Sequence, residues 1–166
     1  MRSKSYFLSI ICVILFISTD SSADICFYFP HDKIKSGEFH YNKTWNCSKK
    51  LRDKYWDDFN MIKYYWNDGF GYDDPCNIDK PLARMMLTIH VLHISKSLKY
   101  PKSILNWAYD YAEGDISTLL VKCGDGKLAA RNFLSAVTFY WPGIYGNKSV
   151  VRRAGILLHE ARHTRR

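Results

Sequence analysis

The chain has 166 residues, of which 47% are hydrophobic and 16% aromatic, so it is no disordered tail and has material for a packed core. Its formal charge of +8 favours acidic partners. However, the Lys and Arg residues are scattered rather than interleaved with stacking aromatics, which argues against specific nucleic-acid binding.

Met1 to Ala23 reads as a secretory signal peptide. Arg2 and Lys4 precede an apolar run from Tyr6 to Ile17, and Ser21, Ser22 and Ala23 supply small residues at the cleavage position. The run is shorter than the roughly 20 residues a membrane span needs, so the expected product is secreted or periplasmic with no span left after cleavage. Residues 24–166 then form a single domain. Without Arg2, Lys4 and Asp20 its formal charge is +7. Such a surface suits an acidic polymer or serves simply as a solvated cationic face. The mature part keeps Cys26, Cys47, Cys76 and Cys123, an even number without CxxC pairs, which fits two disulfides rather than a four-cysteine zinc site.

Residues 24–46 read as irregular, with one short strand near Ile25 to Phe29. Leu51, Tyr55, Phe59, Ile62 and Trp66 recur at steps of three or four, which predicts one helix from Ser48 to Asn67, ended by the Gly- and Asp-rich run through Pro75. Asp79 is the expected N-cap of a second helix with Pro81 just inside it, running to about Leu98 and apolar enough to be the most buried element. A shorter helix is expected over Pro101 to Tyr111. Gly114 and Gly124 then bound an apolar run from Ile116 to Val121. The β-branched and aromatic segment Ser135 to Tyr140 predicts a strand closed by Pro142 and Gly143, and Gly146-Asn147 a turn. Ser149 is the expected N-cap of a final helix. The fold class expected is α+β, mainly helical, with a small sheet whose edge strand precedes the C-terminal helix. Asn42, Asn46 and Asn147 stand in glycosylation sequons.

On the final helix, Val150, Ala154, Leu157, Leu158 and Ala161 make an apolar stripe, while His159 and His163 lie four apart on an adjacent face. Two imidazoles at that spacing can bind one Zn2+ ion. Glu160 follows the first of them, where it can take a proton from an attacking water as general base. With six His and three Glu in the chain, random placement yields roughly 0.004 matches to H-E-x-x-H, so the motif is informative.

The segment from Ala154 to Thr164 resembles the active-site helix of the zincin metallopeptidases, and is most similar to bacterial exported proteins of that clan with the pattern H-E-A-R-H-T. The resemblance covers about 30 residues. It implies His159 and His163 as zinc ligands, Glu160 as catalytic base, a peptide or protein substrate, and a strand at Ser135 to Tyr140 that holds the substrate backbone. Zincins take a third ligand from beyond this helix, where only Thr164, Arg165 and Arg166 follow. That leaves an upstream ligand, an incomplete site or a chain truncated at its C-terminus. Upstream candidates are His93 and His90 first, then His31, His40, Glu38 and Glu113. A histidine inside so apolar a helix is more often a core residue bonded to a hydroxyl or the backbone. The competing functions are a catalytically inactive or truncated secreted binding protein with a basic surface and, more weakly, a cell-wall hydrolase using paired carboxylates, for which no pair stands out.

Overall fold

The computed structural model describes residues 45–67, 69–95, 107–124, 130–141 and 149–165. The signal peptide, the strand expected near Ile25, Cys26, His31, Glu38, His40 and the turn at Gly146 lie outside them. The fold is α+β and mainly helical. In chain order it comprises α1 (Lys49–Asp58), α2 (Lys63–Trp66), α3 (Pro81–Ser95), α4 (Ala108–Asp115), β1 (Thr118–Cys123), β2 (Ala130–Phe133), β3 (Ala136–Trp141) and α5 (Val150–Arg162), followed by a single 3-10 turn, His163–Arg165.

The first predicted helix is two helices. Asn60 adopts a left-handed conformation with φ 41°, which ends α1 and turns the chain. Its side-chain amide donates to the Ser117 carbonyl and the Thr118 hydroxyl, and the Phe59 carbonyl accepts from Leu119 N–H at 3.0 Å. The break therefore ties the helical layer to the start of β1. Tyr55, Phe59 and Trp66 of the predicted stripe are buried, but Ile62 is exposed and Met61 is buried in its stead.

Every position of α3 from Pro81 to His90 is buried, as expected of the most apolar helix. Its cap differs from the expectation. Pro81 is the first helical residue and the Lys80 carbonyl accepts the first helical bond, from Arg84 N–H. Asp79 instead stands 4.0 Å from the Arg84 guanidinium. The third helix ends later than predicted, because it runs on from Tyr111 through Gly114 to Asp115.

The sheet has the order β1-β3-β2, with β1 parallel and β2 antiparallel to β3. The strand preceding the final helix is therefore central, and the expectation of an edge strand there is corrected. Burial explains the difference: Val137, Phe139 and Trp141 all point into the core, and a strand so apolar is protected by partners on both sides. Among the described residues the edge beside the final helix is the more polar β2, Ala130-Arg131-Asn132-Phe133. Leu134 and Ser135 join β2 to β3, both at positive φ (49° and 68°), the pairing a two-residue hairpin requires and for which Asn and Gly are the usual residues.

Cys47 and Cys76 form a disulfide that ties the start of α1 to the loop before α3. Cys123 is disulfide-bonded as well. No helix among the described residues is long and apolar enough to cross a membrane.

Candidate metal centre

Ser149 caps α5, its hydroxyl accepting from Arg152 N–H at 3.4 Å. Val150, Ala154, Leu157 and Ala161 are buried, and the helix packs on α3, α4 and β2. Arg153 shares this face and is completely buried. Its Nε donates to Thr88 Oγ1 at 3.1 Å, and that hydroxyl donates to the Arg84 carbonyl at 2.7 Å. A guanidinium bound this way fixes the rotation of α5 about its axis relative to α3, since a buried charge displaced from its partners is costly.

The rotation so fixed leaves His159 and His163 exposed, one turn apart. Their Nε2 atoms approach to 3.1 Å, with ring centroids 4.7 Å apart and planes at 82°. Two nitrogens each about 2.0–2.1 Å from a tetrahedral zinc ion lie roughly 3.3–3.4 Å apart. The pair thus needs to open by only about 0.3 Å to fill two zinc positions. In the metal-free chain the same contact is an N–H···N hydrogen bond, one neutral imidazole donating from Nε2 and the other accepting.

Glu160 lies one step round the helix and is 8% exposed. Its carboxylate has no hydrogen bond or ion pair among the described residues. Its backbone carbonyl accepts from Asn132 Nδ2 at 2.9 Å, which clamps edge strand β2 to the motif. The Thr164 hydroxyl donates to the Ala161 carbonyl at 2.7 Å, and His163 N–H turns back on the carbonyls of Glu160 and Ala161. These bonds satisfy carbonyls of the last helical turn.

His90 and His93, the leading candidates for a third ligand, are gathered elsewhere. Both direct Nδ1 at the Tyr55 hydroxyl, at 2.9 and 2.6 Å. Trp45 stacks on Tyr55 and contacts His90, and Tyr109 lies against His93. Tyr55 has one proton to give, so it donates to one imidazole and accepts from the other. His90 Nε2 is buried without a partner, so the proton of neutral His90 belongs on Nδ1, donating to Tyr55, which in turn donates to His93. Burial pushes the His90 imidazole down to about 4, with His93 adding to the effect. Burial, and secondarily the charge of Asp58, raises the Tyr55 hydroxyl well above its usual value. Tyr109, buried and donating to Asp58, is raised likewise.

Among the described residues no group of three His, Cys, Asp or Glu side chains is arranged to hold a metal. Of the remaining upstream candidates, Glu113 is exposed on α4, and His31, His40 and Glu38 lie outside the described residues. Two contributors to the site carried no sequence signal. Asn132 belongs to a four-residue strand too short to show a period, and Arg153 occupies the apolar stripe at a position where charge normally faces solvent. No family model, curated protein or solved structure matches the chain.

Proposed function

We propose that the chain is an exported zinc-dependent hydrolase, a zincin-type metallopeptidase in which His159 and His163 bind the metal and Glu160 is the general base. The observation that carries this reading is the convergence of the two Nε2 atoms to 3.1 Å on the exposed face of a helix whose rotation is locked from behind. A zinc ion supplies Lewis acidity toward a carbonyl and acidifies water. Glu160, unengaged by other side chains, takes the proton of the attacking water and returns it to the leaving amine. Asn132 holds the Glu160 backbone, so the base and the edge strand move as one unit. The outer edge of β2 offers backbone groups to an extended peptide, with Asn132 marking where such a peptide passes the base. A signal-like N-terminus and the Cys47–Cys76 disulfide support an oxidising compartment.

The test is Glu160→Gln in the mature, oxidised protein. Hydrolysis of an unstructured protein substrate should fall at least about 100-fold while zinc content is unchanged, the signature of a lost base rather than a lost metal. Equal hydrolysis by both proteins would remove Glu160 from the mechanism. The second reading, a non-catalytic secreted binding protein, draws on the lack of a third protein ligand among the described residues. It predicts no hydrolysis by the wild type and a melting temperature indifferent to chelators.

A further inference from the structure

A second site lies between α1 and α3. Arg52, Asp53 and Trp56 of α1, Tyr72 and Pro75 of the intervening loop, and Leu82 and Met86 of α3 line a half-open cavity of about 240 Å³. Its walls are fixed by several independent ties. The Cys47–Cys76 disulfide joins the start of α1 to the residue after Pro75. Tyr72 N–H bonds to the Trp66 carbonyl and Leu82 N–H to the Phe70 carbonyl, at 3.0 and 2.8 Å. Gly71 turns the loop at φ +104°, where an added Cβ would come within 2.7 Å of Lys80 Cβ.

The lining is apolar and aromatic, with one unsatisfied polar demand. Trp56 and Tyr72 meet edge to face at 5.6 Å, and Leu82 and Met86 stand one turn apart on α3. Arg52 Nε is inaccessible to solvent and has no hydrogen-bond partner, and the guanidinium makes no ion pair among the described residues. A buried N–H left so costs about 1–3 kcal/mol, and because this nitrogen is closed to water, a ligand in the cavity meets the rest of the Arg52 guanidinium. Asp53 does not fill that role, since it is paired with Lys49 at 2.6 Å. Lys63 Nζ sits 4.5 Å over the Tyr72 ring, so two cations, Lys49 and Lys63, stand near the cavity beside Arg52 and the single lining carboxylate of Asp53. A planar guanidinium beside an aromatic and aliphatic chamber matches a carboxylate carrying an apolar body. At about 30 Å³ per water volume, the cleft has room for roughly eight non-hydrogen atoms, the rest of a ligand reaching its open side.

We propose that this cavity binds an apolar monocarboxylate, either a free organic acid or the carboxyl terminus of a peptide ending in an apolar residue, with Arg52 pairing the carboxylate and Trp56, Tyr72, Leu82 and Met86 enclosing the body. The site is independent of the zinc chemistry and stands whether or not the chain hydrolyses peptides.

Calorimetric titration of the mature, oxidised protein with 3-phenylpropionate and with its uncharged amide tests it. The acid should bind with a dissociation constant of about 1 mM or tighter, the amide at least about tenfold more weakly, and Arg52→Gln should reduce the acid to the affinity of the amide. Competition by an N-acetylated dipeptide with a free C-terminal phenylalanine assigns the site to peptide termini, and its failure to compete assigns it to free acids. Equal affinity for acid and amide, or no heat from either at about 10 mM, overturns the proposal without recourse to any variant.

Discussion

Replacing Tyr55 by Phe isolates one hydroxyl at the centre of the helical layer. The ring is fully buried and keeps its stacking on Trp45, so no packing volume is lost beyond one oxygen. What disappears is the oxygen to which both His90 and His93 direct Nδ1, at 2.9 and 2.6 Å. Two buried hydrogen bonds contribute about 1 kcal/mol each, and a donor stranded in the interior adds about 1–3 kcal/mol, so the variant should lose roughly 3–5 kcal/mol. His90 bears most of this, because its Nε2 already lacks a partner and the substitution strands the whole imidazole. The measurement is urea unfolding at pH 7, with an unchanged slope showing that the same surface is exposed in both proteins. A loss under about 0.5 kcal/mol would refute the account of this hydroxyl as the partner of both imidazoles and imply that water serves them as well as tyrosine does.

The same histidine makes stability depend on pH. Its folded value of about 4 lies below the ordinary histidine value of 6.5, so the unfolded chain takes up the proton first as pH falls. The contribution is fully present above about pH 6.5 and declines by up to about 3 kcal/mol on acidification to about pH 4. Unfolding free energies across that range, compared with those of His90→Gln, should show the decline only in the wild type, and parallel curves would contradict it. Removing the Cys47–Cys76 bond by a double Cys→Ala substitution frees a loop of sequence separation 29. By chain entropy this should cost about 3.5 kcal/mol at 25 °C, measured as a fall in urea midpoint, and it should also weaken ligand capture by the Arg52 cavity, whose wall the bond holds.

How far the sequence revealed this arrangement varies element by element. The final helix was legible because cap, stripe and motif agree: Ser149, the Val150–Ala161 stripe and the two histidines each lie where period and spacing put them. Helix α3 was legible from its apolarity, and β3 from its β-branched and aromatic run. The split between α1 and α2 was not, because the periodicity of Tyr55, Phe59 and Trp66 continues across it. The turn is made by one left-handed Asn60, stabilised by bonds to β1 that no local pattern encodes. Strand β2 was missed because Leu134 and Ser135 make the hairpin turn without the Gly or Asn that normally marks one. Its omission is also why β3 was expected at the edge. The partner of Cys47 was not legible either, since four cysteines allow three pairings and only the fold brings Cys76 beside it. Arg153 was hidden for the opposite reason: charge in an apolar stripe reads as solvent-facing until a hydroxyl such as Thr88 is found opposite it.

The central claim is that His159 and His163 form a metal-binding pair. Zinc titration of the chelator-treated mature protein, followed by calorimetry and by metal analysis after dialysis, tests it most directly. The account predicts one zinc per chain, bound at micromolar or lower concentration and lost in His159→Ala, with that variant otherwise folded by circular dichroism. Wild-type protein that takes up no zinc at micromolar concentration, or a His159→Ala variant that binds it equally well, would contradict the claim.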